Sequence, residues 1–213
     1  MDILKILCPE KANWDCKSSP PARSRHGTEC RDAKPEFPPN RTPDIRDMEG
    51  RLPKLYGSEA VEIPGARSLL DSLIKENAPW AIVTSGTEPL VGGWLDALSL
   101  PKPPHLISAE SVENGKPDPT CYLIGREKLG LEDSSKTVLV LEDSPAGIRA
   151  GKAAGCKVVG LVTSHTAEQV LSAEPDWIVR DLESVRLVRM KDGRATLEFA
   201  NCLVPAANPV STL

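Results

Sequence analysis

The chain has 213 residues, 40% of them apolar, which is enough to bury one sizeable hydrophobic core. Its net charge is −4 and its 26 basic residues form no stripe, so nucleic acid is not an expected partner. No apolar run reaches the roughly 18 residues of a membrane span, and the start, MDILKILCPEK, lacks the pattern of a secretory signal. We therefore expect a cytoplasmic protein that binds neither membranes nor nucleic acids.

The first 47 residues differ in character from the rest of the chain. Prolines interrupt a polar run of mixed charge that has neither helical nor strand periodicity. Such a composition buries too little apolar surface to offset the entropy of ordering. We expect residues 1–47 to be irregular or disordered, except that residues 2–7, DILKIL, are a candidate short strand.

From residue 66 onward, strand and helix patterns alternate. The predicted helices are 66–76, 87–98, 119–129, 145–154 and 166–173, and the predicted strands are 80–83, 105–108, 137–141, 157–162 and 177–179. In the first helix, Leu69, Leu70, Leu73 and Ile74 share the face that we expect to point inward. This alternation predicts a doubly wound, mostly parallel sheet with ligand groups at the carboxyl ends of its strands.

The region 186–204 has a different pattern, because two β-prone runs flank Lys191-Asp192-Gly193. An Asp-Gly pair between such runs is typical of a β-hairpin. We expect this hairpin to add antiparallel strands at an edge of the sheet. The predicted core therefore extends over 66–204, and residues 205–213 form a tail.

The strand AIVTSGT at 81–87 ends in hydroxyl groups. Thr84 and Ser85 precede Gly86, so a hydroxyl and backbone N–H groups converge where the next helix begins. This arrangement suits a phosphate oxygen. The alternative interpretation is a polar turn between a strand and a helix.

A lysine turn follows at NGKPDP, residues 114–119. Lys116 lies between Gly115 and Pro117, and a rigid turn there would direct its ammonium group toward the same phosphate. Without the neighbouring motifs, Lys116 would be interpreted as an ordinary surface lysine.

The stretch TVLVLEDSPAGIRAGKAAG at 137–155 is the most informative part of the sequence. It places Glu142 and Asp143 at the carboxyl end of a buried strand. Two adjacent carboxylates repel each other unless a cation compensates their charge, and Mg²⁺ is the simplest cation for oxygen ligands. The alternative is that Asp143 only caps the following helix.

The hydroxyl strand end, the lysine turn and the carboxylate pair resemble, in this order, three motifs of the haloacid dehalogenase superfamily of phosphatases. Longer strings strengthen the resemblance: EIPGARSLLDSL, AIVTSGT, NGKPDPTCYLIGREKLGL, LVLEDSPAGIRAGKAAGCKVVGLVTSH and VRDLESVRLV. They are similar to the fungal branch that dephosphorylates glycerol phosphate and 2-deoxyglucose 6-phosphate. The resemblance covers residues 48–204 and implies a three-layer α/β sandwich of Rossmann-like topology.

The resemblance also implies roles for the site residues. Thr84, the Ser85 N–H and Gly86 would bind the phosphate, and Lys116 would act catalytically by holding both the phosphate and the nucleophile. Asp143 would bind Mg²⁺, with Glu142 supporting the metal directly or through water. The implied substrate is a small sugar or polyol phosphomonoester.

The chain departs from the family pattern at its start. The family takes its nucleophile and general acid from an Asp-x-Asp motif after the first strand, followed by a helical cap. No Asp-x-Asp follows an apolar strand within residues 1–80, and residues 48–65 look like only the end of the cap and its linker. The missing strand belongs at the centre of the sheet, where residues 2–7 are candidates to replace it.

We therefore expect the chain as written to be inactive as a phosphatase. One explanation is that residues 1–47 are a misjoined or alternatively spliced start that replaces the true motif. The other is that the protein is a non-catalytic member that binds a phosphorylated ligand or a partner.

Overall fold

The computed structural model describes residues 2–4, as backbone, together with residues 44–133 and 137–203. The helices are α1 (Ile45–Glu49), α2 (Leu52–Tyr56), α3 (Ala66–Lys75), α4 (Glu88–Ala97), α5 (Thr120–Lys128), α6 (Pro145–Ala153) and α7 (Ala167–Leu171). The strands are β1 (Asp2–Leu4), β2 (Trp80–Val83), β3 (Leu106–Ile107), β4 (Val138–Glu142), β5 (Lys157–Leu161), β6 (Trp177–Val179), β7 (Val185–Lys191) and β8 (Arg194–Phe199). The predicted elements between residues 66 and 179 are confirmed to within two residues at each end.

In the described part of the chain, six strands form a parallel sheet in the order β3-β2-β1-β4-β5-β6. β1 lies at the centre and pairs with β2 on one side and with β4 on the other, with Leu4 opposite both Ala81 and Val140. The prediction that residues 2–7 fill the central position is thus confirmed for residues 2–4. Residues 5–7 lie outside the described residues, as does most of the segment predicted to be irregular and the whole 205–213 tail.

Alternation along the strands builds a core on each face of the sheet. Trp80 and Ile82 of β2 point to the face that is covered by α3, α4 and the β7–β8 hairpin. Ala81 and Val83 point to the opposite face, which is covered by α5, α6 and α7. Both faces are therefore covered by helices, which confirms the three-layer sandwich and is typical of parallel sheets.

The β7–β8 hairpin is confirmed, but its predicted place at an edge of the sheet is wrong. β7 and β8 form a separate antiparallel sheet. Its apolar side, with Val185 and Leu187, packs into the core beside α3. Burial against this helix outweighs edge pairing because half of the hairpin's side chains are apolar. The turn has positive φ at Asp192 and Gly193, as expected for an Asp-Gly hairpin.

One side chain of the predicted inner face of α3 does not face inward. Leu69, Leu70 and Leu73 are buried, whereas Ile74 is 49% exposed. Ile74 adjoins Leu73 in the sequence but lies about 100° further around the helix, beyond the edge of the buried stripe.

The segment 48–65, predicted to be the end of a cap, contains α2 and the end of α1, which begins at Ile45 within the stretch predicted to be irregular. Helices α1 and α2 pack closely on α4. A Cβ atom on Gly93 would lie 2.7 Å from Cγ of Pro53 in α2, so only glycine fits there. That residues 48–65 derive from a cap stays a prediction. Among the described residues, no helix combines the length and the apolar character of a membrane-crossing segment.

The Asp176 carboxylate ties the start of β5 to the loop before β6. It accepts bonds from Lys157 Nζ at 2.8 Å and from the Val158 N–H at 2.9 Å. Burial alone would raise the pKa of Asp176, but these bonds and the charge of Lys152 outweigh burial and lower it. A lowered folded-state pKa contributes stability above the unfolded value, and this stability is lost as the pH falls through the folded value.

Substitution Asp176→Asn should therefore destabilise the protein at pH 6, and the destabilisation should decrease as the pH falls below the ordinary value of a carboxyl group, because the pKa is lowered only in the folded state. Chemical denaturation followed by circular dichroism between pH 3 and 6 measures this difference. Asp96→Asn, which removes an exposed partner of Lys102, is the control. Parallel stability curves for wild type and Asp176→Asn would show that Asp176 makes no pH-dependent contribution.

Candidate phosphate-binding site

The carboxyl ends of β2 and β4 carry the residues that the sequence singled out. Thr84 directly follows β2, whereas Glu142 ends β4 and Asp143 follows it. Because β1 lies between these two strands, their axes are about 10 Å apart. A group that reaches both strand ends must therefore extend across the carboxyl end of the central strand.

Lys116 is this group. Its Nζ atom lies 2.6 Å from Glu142 Oε1 and 3.4 Å from the carbonyl oxygen of Val83, the last residue of β2. Its side chain is only 4% exposed, so the interpretation of Lys116 as a surface lysine is wrong. The predicted lysine thus lies beside both of the other predicted motifs.

The Glu142 carboxylate is completely buried and both of its oxygens accept hydrogen bonds. Oε1 accepts from Lys116 and from the Tyr122 hydroxyl, each at 2.6 Å. Oε2 accepts from the Asp143 and Ser144 N–H groups at 3.0 and 3.1 Å and from Ser144 Oγ at 3.2 Å. A buried carboxylate needs such partners, since an unpaired one costs several kcal/mol. The compensating cation next to Glu142 is therefore an ammonium group.

Gly147 in α6 makes room for this carboxylate. A Cβ atom there would lie 1.9 Å from Glu142 Oε1, closer than any real contact. The carboxylate consequently sits against the amino-terminal turn of α6, where helix N–H groups and the helix dipole favour negative charge.

The alternative role of Asp143 as a helix cap is wrong, because Ser144 is the N-cap of α6. Ser144 Oγ accepts the Gly147 N–H at 3.0 Å. Asp143 is 5% exposed and directly follows Glu142, the carboxylate that pairs with Lys116.

The described residues fit Mg²⁺ through one carboxylate rather than two. In the described ranges, no group of three His, Cys, Asp or Glu side chains is arranged to hold a metal ion. Mg²⁺ is commonly bound by one or two carboxylates together with water and substrate phosphate oxygens. Asp143 suits this mode of metal binding. The oxygens of Glu142 already accept hydrogen bonds from protein donors. Metal binding by either residue stays a prediction.

The loop after β2 has the geometry of a tight turn. Thr84 Oγ1 accepts the Gly86 N–H at 3.0 Å, and Ser85 is exposed. The interpretation as a polar turn is therefore correct as local structure. It remains compatible with phosphate binding, since the turn lies beside Lys116 at the amino terminus of α4.

Two carboxylates from other elements hold the start of α4. Glu49 of α1 accepts the Thr87 N–H at 2.9 Å, and Glu110 accepts the Glu88 N–H at 3.1 Å. Burial alone would raise the pKa of Glu110, but bonds from Ser108 and from backbone N–H groups, with the charge of Arg46, lower it. Glu110 therefore remains a carboxylate that supports the helix start at neutral pH.

Sequence reasoning missed Tyr122, Ser144 and Glu49. Tyr122 lies on the inner face of α5, and the sequence pattern of this helix alone predicts that Tyr122 is an ordinary aromatic residue of the core. Burial, followed by the charge of Glu142, raises its pKa well above the usual value, so the phenol keeps its proton. The available signal was its position six residues after Lys116, on the helix that follows the lysine turn.

A parallel sheet with charged groups at its carboxyl edge places the chain among the doubly wound α/β proteins, whose ligands bind at that edge. A family model described as haloacid dehalogenase-like hydrolase matches residues 34–161. The chain belongs to this family, which confirms the resemblance seen in its motifs.

Individual relatives agree with this assignment. The chain is 41% identical to glycerol-1-phosphate phosphohydrolase 1 of Saccharomyces cerevisiae over 76% of its own length and 68% of that protein. It is 36% identical to 2-deoxyglucose-6-phosphate phosphatase 1 of the same yeast, over 68% of its own length and 65% of that protein. A solved hydrolase from Pseudomonas syringae superimposes with a TM-score of 0.56 at 28% identity, covering 61% of this chain and 60% of that one. The chain thus spans about two thirds of the length of these relatives.

The space at Gly147 generates a first prediction for the site. Gly147→Ala should destabilise the protein by about 1–3 kcal/mol or more, because the new methyl group overlaps the buried carboxylate. Gly92→Ala is the matched control within α4, since nothing lies within 4 Å of its added Cβ. That control should raise stability by about 0.5–1 kcal/mol. Equal effects of the two substitutions in chemical denaturation would contradict the described packing.

Thr87 generates a second prediction. Its Oγ1 is a buried side-chain oxygen with no hydrogen-bond partner among the described residues. Thr87→Val should therefore raise the free energy of unfolding by about 1 kcal/mol, because it removes an unsatisfied buried hydroxyl. Thr84→Val, which loses the bond to the Gly86 N–H, should lower it by a similar amount. Destabilisation by both substitutions would indicate that the Thr87 hydroxyl has a partner.

Proposed function

We propose that this chain carries the phosphate-binding and Mg²⁺-binding part of a phosphatase for small sugar or polyol phosphomonoesters. The observation that carries the proposal is the Lys116 ammonium, which contacts the last residues of both strands that flank β1, Val83 and Glu142. Thr84 and Asp143 directly follow these two residues. The yeast relatives are named for glycerol 1-phosphate and 2-deoxyglucose 6-phosphate, which support a small phosphorylated substrate.

In this proposal each residue has a distinct role. Lys116 and the Thr84 hydroxyl bind phosphate oxygens, together with the backbone N–H of Ser85, whereas the Gly86 N–H holds the turn by donating to Thr84 Oγ1. Asp143 binds Mg²⁺, which when present neutralises charge on the phosphate. Glu142 supports the site by holding Lys116.

Turnover is a separate question from binding. The family mechanism needs an attacking aspartate, and the sequence has no Asp-x-Asp after an apolar strand. Loss of the nucleophile in a covalent mechanism costs about 10⁶ in turnover. We therefore infer that the 213 residues bind a phosphate ester without hydrolysing it at an enzymatic rate.

A second candidate function is that of a non-catalytic member that binds a phosphorylated ligand or a partner. The missing Asp-x-Asp motif favours it. The cytoplasmic location expected from the sequence stays a prediction under either function.

Calorimetric titration with inorganic phosphate in the presence of Mg²⁺ tests the binding proposal. We expect binding by the wild type, and loss of at least tenfold in affinity with Asp143→Asn, since one charge-assisted contact contributes about 1.5–3 kcal/mol. Asp96→Asn is the matched control, because Asp96 is an exposed acid that is not part of the proposed site. This variant should bind phosphate as the wild type does. Absence of binding by a folded wild-type protein would contradict the proposal.

A phosphate-release assay with glycerol 3-phosphate and 2-deoxyglucose 6-phosphate tests the inferred lack of turnover, which both candidate functions share. We expect no Mg²⁺-dependent release above background. Release that disappears in Asp143→Asn would instead identify an active phosphatase whose nucleophile lies outside the described residues.

A further inference from the structure

Tyr122 is a buried side chain, and apolar packing alone does not explain the presence of its hydroxyl group. It is 0% exposed, and its hydroxyl donates to Glu142 Oε1 at 2.6 Å. The same oxygen accepts the Lys116 ammonium at 2.6 Å. The Tyr122 hydroxyl therefore donates to the same Glu142 oxygen that accepts the lysine ammonium.

The two oxygens of Glu142 have different surroundings. Oε2 is held by the backbone and hydroxyl of the turn that starts α6, through Asp143 and Ser144. Oε1 is held by two side chains from the segment 116–122, Lys116 and Tyr122. The carboxylate thus connects the lysine turn and α5 to β4 and α6, with Tyr122 as its second donor on the lysine side.

Lysine needs such support more than a shorter side chain does. Its four-carbon stem is flexible, so an ammonium group is placed accurately only where its partner is itself fixed. The Tyr122 ring adds to this restraint, because the ammonium lies 5.3 Å from the ring centroid.

We propose that Tyr122 is a positioning residue, which acts through Glu142 to hold the Lys116 ammonium across the carboxyl ends of β2 and β4. This inference rests on the proposed phosphate site for its functional meaning. The placement of Lys116 by Tyr122 can nevertheless be tested without any ligand.

The first measurement is the NMR signal of the Lys116 ammonium in the ligand-free protein, assigned by its absence in Lys116→Arg. Tyr122→Phe keeps the ring and removes only the hydroxyl, so we expect the signal to shift or broaden while the protein remains folded. Tyr56→Phe removes the hydroxyl from the other tyrosine of the chain and should leave the signal unchanged. An unchanged Lys116 signal in Tyr122→Phe would overturn the proposal.

A second variant covers the case in which Tyr122→Phe does not fold. Labelling the Tyr56→Phe protein with 3-fluorotyrosine modifies position 122 alone, because the chain has two tyrosines. Fluorine makes the phenol a stronger donor, so the Lys116 signal should shift in response. No shift would again count against the proposal.

The final measurement is the affinity for inorganic phosphate with Mg²⁺. We expect Tyr122→Phe to weaken it about five- to tenfold, the range for one hydrogen bond, and Tyr56→Phe to leave it unchanged. If the wild type binds no phosphate, the proposed function fails, whereas the ammonium signal still decides whether Tyr122 positions Lys116. Wild-type affinity retained by Tyr122→Phe would overturn the positioning role.

Discussion

The buried ion pair between Lys116 and Glu142 is the interaction on which the site depends. It joins the lysine turn, the end of β4 and, through the Val83 carbonyl, the end of β2. Removing one member of such a pair leaves an uncompensated charge in the interior, which costs about 3–5 kcal/mol. Tyr122, Ser144 and the backbone at the start of α6 satisfy the remaining capacity of the carboxylate. The polar edge of the sheet is therefore one connected structure.

The ion pair between Lys116 and Glu142 changes how the negative charges of Glu142 and Asp143 are compensated, compared with what the sequence suggested. The Glu142–Asp143 pair pointed to a divalent cation shared by two carboxylates, but the Lys116 ammonium compensates Glu142. Asp143 is then the carboxylate best suited to a metal ion that also contacts phosphate. A site of this kind relies on the ligand's own oxygens to complete the coordination of Mg²⁺. In the proposed function, binding of phosphate and binding of metal therefore depend on each other.

The short helices before the core are also connected to the site. Glu49 of α1 accepts the Thr87 N–H at the start of α4, two residues beyond the exposed Ser85. α2 packs closely on the same helix, where Pro53 faces Gly93. The segment 45–56 therefore helps to fix the turn that follows β2. In this chain, a region that resembles the end of a cap acts as a support for the core.

The sequence by itself determined the alternation of elements, the family, the two strand-end motifs and the lysine turn, because hydrophobic periodicity and turn residues are local signals. It could not place the β7–β8 hairpin, which packs beside α3 as a separate sheet, nor show that Ile74 faces outward. Only the tertiary structure decided the roles of Glu142 and Tyr122. Their partners lie 20 to 26 residues apart in the chain and meet only when α5 packs on β2 and against α6. Hydrogen bonds across such separations depend on register and packing, which no local pattern encodes.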